Sequence, residues 1–332
     1  MSKPVIALFG GSGFVGTVLA NQLVRAGYAL RVFTRDRAHT RALWLLPDTE
    51  IIVLNVADEE RVALALKGCR AAVNLIGILN ERRDDGTDFK RAHVDTVQHL
   101  ITACRQARVP HLLHMSALVA DVAAPSHYLR SKGVAEKLLR DASGRQLRTS
   151  VIRPSVIFGR DDDFLNRFAA LLRIAPLLPL TGAAALLQPV YVGDVVAILL
   201  SLIARPGAAA HGVYEIGGPA VMSLREIVAY VATLRGHAPL IVPIGGPLAT
   251  LMAWCMEWLP GKPLTRDNLR SLSVPSVCTA PNALLEFQLR PTPLHEVAPS
   301  YLAGRSMRGR YDQFRENARR VRGARKSGQS QA

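Results

Sequence analysis

Three side chains in the first half of the chain have the types and spacing to move a proton. Tyr128 and Lys132 stand at i and i+4 in Tyr128-Leu129-Arg130-Ser131-Lys132, which places a phenol and an amine on one face of a helix. An ammonium beside a phenol stabilises the phenolate and draws its ionisation toward neutral pH, where it exchanges a proton with a carbonyl oxygen. Ser116 precedes the pair at the end of a strand, where its hydroxyl could hold that oxygen while a hydride arrives. Tyr-x-x-x-Lys is also common as a surface pair, so its weight comes from the elements that position it.

A hydride donor needs its own cradle, and the start of the chain offers one. The apolar run Val5-Ile6-Ala7-Leu8-Phe9 leads into Gly10-Gly11-Ser12-Gly13-Phe14-Val15-Gly16, and a helical pattern from Thr17 to Arg25 stops at Ala26-Gly27. Strand, glycine turn and helix in this order make the opening of a dinucleotide-binding βαβ unit. Glycine allows positive φ and a close approach to a pyrophosphate, whose charge then faces the helix N-terminus. Two registers overlap, since Gly11, Gly13 and Gly16 fit GxGxxG while Gly10, Gly13 and Gly16 fit GxxGxxG. The second strand ends Thr34-Arg35, followed by Asp36. A guanidinium pairs with the 2′-phosphate of NADP, whereas a carboxylate repels it and suits the ribose of NAD. NADP(H) is therefore favoured over NAD(H). The alternative leaves Arg35 solvated and gives the ribose to Asp36.

The elements around these residues alternate. Strand patterns at 29–35, 51–56, 71–77, 111–116 and 148–153 are separated by helical patterns at 59–66, 88–107 and 128–140. Such alternation predicts a doubly wound parallel α/β sheet of Rossmann type over residues 1–159. Residues 160–302 lose the alternation and gain proline. They read as a smaller substrate-binding subdomain, with segments at about 188–217 returning to the sheet. Ser223 and Glu226 form a capping box ahead of apolar Ile227, Val228 and Val231, so a helix begins there. Residues 303–332 read as a disordered basic tail.

Composition narrows the class. The chain has 332 residues, 49% of them hydrophobic, enough for a sizeable core. The first strand starts at residue 4 or 5, which leaves no room for a targeting peptide, and no apolar run reaches the ~20 residues of a spanning helix. Cys69, Cys104, Cys255 and Cys278 are widely spaced without CxxC, which suits reduced thiols in the cytoplasm and predicts no metal site. Net charge is +15, of which +7 lies from Arg305 onward: nine Lys/Arg against Asp312 and Glu316. Such a tail suits an anionic partner, or is a solvated terminus. Nucleic acid is disfavoured, because no RNA-binding aromatic signature accompanies the arginines. Residues 248–259, from Leu248 to Leu259 with Trp254 and Trp258, form a very apolar helix. The expected reading is lid or core; the sharper one is an interfacial helix which, with the tail, attaches to the cytoplasmic face of an inner membrane.

Taken together, the chain resembles the short-chain dehydrogenase/reductase superfamily in its extended or atypical branch over residues 4–302. The carrying segments are the Gly10–Gly16 turn, Asn55-Val56-Ala57-Asp58, Asn74-Leu75-Ile76-Gly77, Ser116, Tyr128/Lys132, Arg153-Pro154-Ser155-Val156-Ile157-Phe158-Gly159, and Gln188 to Val195. Within that branch, Arg153 to Phe168, Ser116-Ala117 and Tyr301-Leu302 are most similar to the nucleotide-binding accessory subunit of respiratory complex I and its bacterial relatives. The resemblance implies an NADPH held structurally in the mitochondrial subunit. It places Gly10, Gly13 and Gly16 on the pyrophosphate, Arg35 on the 2′-phosphate, Asn55 and Val56 by the adenine, and Gly77 under the ribose-nicotinamide half. Lys132 holds the nicotinamide ribose and Pro154 abuts the nicotinamide. Two positions depart from the branch. Asn55 stands where many relatives have aspartate. His93 stands where many have an asparagine that steadies a relay water, and a solvated helix histidine is its expected reading.

Three functions follow as expectations. The first is an NADPH-dependent oxidoreductase acting on a carbonyl, quinone-like or lipidic substrate, with Tyr128 as acid/base, Lys132 as its electrostatic partner and Ser116 as carbonyl orienter. The second is a non-catalytic NADPH-binding subunit of a respiratory or quinone-biosynthesis complex. A nucleic-acid-associated protein is the third and weakest.

Overall fold

The structure, a computed structural model, describes residues 3–173, 177–205, 212–236 and 240–303. Of the basic tail, residues 304–332 lie outside the described residues. Six strands of the first half are β1 (Val5–Phe9), β2 (Ala29–Thr34), β3 (Thr49–Val53), β4 (Cys69–Asn74), β5 (His111–Met115) and β6 (Arg148–Pro154). A seventh, Gly212–Ile216, comes from the second half and pairs in parallel with β6. Across the sheet the order runs from this late strand through β6, β5, β4, β1 and β2 to β3. Every pairing is parallel.

The apolar run of β1 explains its central place. Ile6 to Phe9 are fully buried, because helices cover both faces of the sheet and leave no face for polar side chains. On one face lie α1 (Phe14–Arg25), which buries Leu19, Ala20 and Leu23, and the helix Val192–Ala204 from the second half. On the other lie α2 (Glu59–Leu66), the helix Thr96–Ala107 and the helix His127–Ala142. The strand order reverses between β1 and β4, so their carboxyl ends open a crevice there.

The second half builds its own apolar cluster beside this crevice. Leu165, Leu178, Ile227, Val228 and Val231 pack together with Phe158 and Leu302. A parallel ladder of Leu177–Thr181 with Leu240–Ile244 runs through the proline-rich region. The Ser223–Glu226 capping box forms in both directions. The apolar helix spans Gly246–Met256 and does not behave as core: Ala249 and Ala253 are buried, but Leu248, Leu251, Trp254, Trp258 and Leu259 stand exposed, Trp258 at 77%. Among the described residues no helix is long and apolar enough to cross a membrane.

Candidate functional site

The glycine turn does two jobs with different glycines. Gly10 takes φ +76°, and a Cβ there would stand 2.9 Å from the backbone of Leu75, so β1 and β4 meet at a point only glycine fits. Gly16 is a packing glycine: its Cβ would lie 2.3 Å from the Gly10 carbonyl oxygen. The N-terminus of α1 at Gly13 has no side-chain cap, so its first-turn N–H groups are free for an anionic ligand. A groove of about 1180 Å³ opens over this turn, lined by Gly10, Ser12, Gly13, Arg35, Asn55, Val56 and Gly77. Gly11 instead packs toward Val32, Phe14 toward Gly159, and Val15 against the core under the sheet. The residues present fit a dinucleotide: a glycine cradle, an uncapped helix start and a guanidinium at the end of β2.

Asp36 also faces the groove, but its Oδ1 accepts the Ala38 N–H at 2.8 Å and so starts the following turn. The side chain of Asn55 is similarly occupied, accepting the Ala57 N–H at 3.2 Å.

Behind Gly77, a residue of the groove wall, lie Lys132 and His93, with Tyr128 packed on the His93 ring; none of the three is among the residues that line the groove. A Cβ on Gly77 would lie 3.4 Å from both Lys132 Nζ and His93 Nε2. Lys132 is buried and donates to the Met115 carbonyl at 2.8 Å; burial draws its ammonium down to about 8, partly countered by the Glu136 carboxylate. Tyr128 packs edge-on against His93 and Phe89, with ring centroids 5.6 and 5.8 Å away. Part of its surface stays accessible, yet the protein around it is dense enough for desolvation to push the phenol up to about 12. No hydrogen bond joins Tyr128 to Lys132 among the described residues, and the lysine does not lower the phenol.

Ser116 is turned away from the pair. Its hydroxyl donates to Glu136, a buried carboxylate that Arg153 also grips with Nε at 2.9 Å. Arg153 in turn lies 3.7 Å from Glu215 on the late strand. The proton that would have oriented a carbonyl is therefore committed to this internal network. Glu136 and Arg153 escaped notice as a pair because they are 17 residues apart on different elements. Lys132 and Glu136 at i and i+4 were the available signal.

His93 is fully buried, which overturns its reading as a solvated histidine. The cause is local: residues Lys90–Asp95 form a π-helical turn between the helical turns Thr87–Phe89 and Thr96–Ala107. One extra residue per turn rotates His93 inward, and no regular 3.6-residue pattern reveals that. The Ile78 N–H donates to Nε2 at 3.2 Å, so the ring proton sits on Nδ1 and donates to Ser131 Oγ at 2.8 Å. Ser131 passes its own proton to the Tyr128 carbonyl at 2.8 Å. Burial and the nearby Lys132 charge hold His93 well below the usual histidine range, so it stays neutral. Pro154 ends β6 and is buried; like Lys132 it is not among the residues that line the groove.

Comparison with known proteins gives the family and the fold. Residues 6–217, most of the doubly wound unit, match the NAD dependent epimerase/dehydratase family. The chain belongs to that family. Among curated relatives, the mitochondrial NADH dehydrogenase (ubiquinone) 1 alpha subcomplex subunit 9 of Arabidopsis thaliana is 28% identical over 267 residues, or 79% of this chain. The match spans 65% of that protein, just under two thirds of its length. Ceramide reductase of Caulobacter vibrioides is 25% identical over 205 residues, covering 62% of each protein. In structure, the dTDP-glucose 4,6-dehydratase DesIV of Streptomyces venezuelae, solved with NAD bound, superposes with a TM-score of 0.71 over 90% of this chain and 95% of its own, at 18% identity. The fold is thus that of an extended short-chain dehydrogenase.

Proposed function

We propose that the chain binds NADP(H) and reduces a carbonyl or quinone-like group on a lipidic substrate at a membrane surface. The observation that carries this reading is the placement of Tyr128 and Lys132 at i and i+4 on one helix, with Lys132 against Gly77 of the groove wall. The nicotinamide, when bound, supplies hydride. Tyr128 supplies the proton that the nascent alkoxide needs, and a phenol held at about 12 is almost fully protonated at neutral pH. Lys132 orients the ribose side of the site and repels a proton from neutral His93. This balance suits reduction better than dehydrogenation, which needs phenolate as base. Arg35 at the groove wall supports NADP(H) over NAD(H). Residues 160–302, apart from the segments at about 188–217 that return to the sheet, serve substrate binding, and the exposed Trp254–Trp258 face with the basic tail attaches the protein to anionic lipid on the cytoplasmic side. A relative named for reducing a ceramide supports the lipidic substrate.

The test is whether purified protein oxidises NADPH with lipid-tailed ketones or quinones, and whether Tyr128→Phe lowers turnover by about 10²–10⁴ while NADPH affinity stays within about twofold.

One observation favours a second reading. The Ser116 hydroxyl serves Glu136 and Lys132 serves the Met115 carbonyl, so neither addresses the phenol. A protein that merely holds its nucleotide, as an accessory subunit of a respiratory or quinone-biosynthesis complex, needs no more than this. The subunit from Arabidopsis supports that reading by name. Tight NADPH retention with no turnover on any such substrate would decide for it.

A further inference from the structure

The helix that carries Tyr128 is held at its start by a residue from the other half of the chain. Helix first turns leave N–H groups without intrahelical partners. Ser126 Oγ accepts from Leu129 at 3.1 Å. The N–H groups of His127 and Tyr128 go to the two oxygens of Asp267, at 2.7 and 3.0 Å. Asp267 is only 2% exposed, lies about 140 residues later and belongs to the short helix Arg266–Leu272. Arg270 steadies it at 3.1 Å and also binds Asp84, in the loop that follows Gly77. Arg266 ties the same segment to Glu257 at the end of the exposed tryptophan helix. Lys262 donates to the carbonyls of Glu81 and Arg82, at 2.8 and 2.7 Å.

We propose that Asp267 is a positioning residue for Tyr128: the second half sets where the phenol stands, through the backbone amides of the helix that bears it. This inference rests on the reading that Tyr128 delivers a proton. The two reactive side chains differ in how they are held. Lys132 lies one turn deeper and is pinned by Met115, so it keeps its place when the first turn loosens. Tyr128 sits within that first turn, where the backbone depends on Asp267 and Ser126. A buried carboxylate is well matched to this work, because the helix N-terminus and Arg270 together offset its charge. The 257–270 segment also lines the groove through Gly261 and Lys262, so the same stretch of the second half touches the groove wall and, through Asp267, the start of the helix that bears the phenol.

Asp267→Asn in the full chain tests the assignment, with Asp267→Glu as the conservative variant and Tyr128→Phe as reference. An asparagine oxygen accepts one N–H, while its amide nitrogen faces the other donor and breaks the pair. The expected result is a fall in kcat of about a hundredfold with NADPH Kd unchanged within about twofold. Amide exchange at His127 and Tyr128 becomes at least about tenfold faster, while that of β1 does not change. Asp267→Glu restores part of both. Full kcat in Asp267→Asn beside an inactive Tyr128→Phe overturns the positioning role and leaves the reading of Tyr128 standing. A Tyr128→Phe variant as active as the parent, or a parent without turnover, overturns the reading of Tyr128; the exchange rates then decide the contact, and unchanged protection at Tyr128 overturns it too. Loss of NADPH affinity together with exchange throughout the sheet marks general unfolding and also overturns the local role.

Discussion

The two ends of the crevice are built in opposite ways. At the outer end, the ligand-facing groups are largely backbone, and the turn from Gly10 to Gly16 brings strand, cradle and helix start together within one short stretch. At the inner end, one helix supplies Tyr128, Ser131, Lys132 and Glu136, and each is held by a group from another element or from the turn before it: Asp267 for the Tyr128 amide, His93 for Ser131, the Met115 carbonyl for Lys132 and Arg153 for Glu136. At the outer end Gly10 and Gly16 tolerate no added atom. The inner end tolerates no lost partner. Steric exclusion therefore governs the first and charge and hydrogen-bond satisfaction the second.

The largest expected effect breaks the outer end. Gly16→Ala forces a Cβ to within 2.3 Å of the Gly10 carbonyl oxygen, so the turn must open. We expect loss of NADPH binding by more than about a hundredfold or failure to fold, read by nucleotide retention and circular dichroism. Next comes the inner network. Glu136→Gln removes the charge that faces the Arg153 guanidinium and sets an amide nitrogen against one of its N–H groups, and should cost about 3 kcal/mol in denaturant unfolding with the nucleotide cradle intact, the Glu215 carboxylate limiting the loss.

The third prediction concerns pH. Folding draws Lys132 down to about 8 from the ordinary 10.5, so between those values the unfolded chain binds the extra proton. Stability should then rise with pH across that window by up to ~3 kcal/mol relative to Lys132→Met, in which the slope disappears. A parent and variant with parallel stability–pH curves from pH 7.5 to 10.5 would show that the amine is not desolvated. The smallest effect sharpens the outer end without breaking it. Arg35→Asp should lower the NADPH/NADH affinity ratio by about tenfold or more, with the fold unchanged, in fluorescence titrations with both nucleotides.

The legibility of each end follows from this contrast. The glycine turn, the alternating elements and the parallel sheet could be read because each rests on neighbours within a few residues. Tyr128 and Lys132 were legible as a pair for the same reason. Ser116 was read as facing a substrate, but its direction depends on Glu136 one element away. The expectation of a solvated His93 fails because a π turn at Lys90–Asp95 shifts the helical register, and for the tryptophan segment exposure removes the core reading while lid and interfacial helix both stay open, since apolar sequence alone does not say what covers it.

By itself the sequence determined the strand–turn–helix order, the nucleotide cradle and the i,i+4 pairing of phenol and amine, all of which depend on short-range sterics and helical periodicity. Only the tertiary structure decided which donors the site can spare. It committed the Ser116 proton to Glu136, locked the His93 tautomer between Ile78 and Ser131, and placed the Tyr128 helix on a carboxylate from the far half. A hydroxyl has one proton to give, so the Ser116 donor spent on Glu136 is not also available to a ligand, whereas the Lys132 ammonium keeps donors beyond the one that Met115 takes.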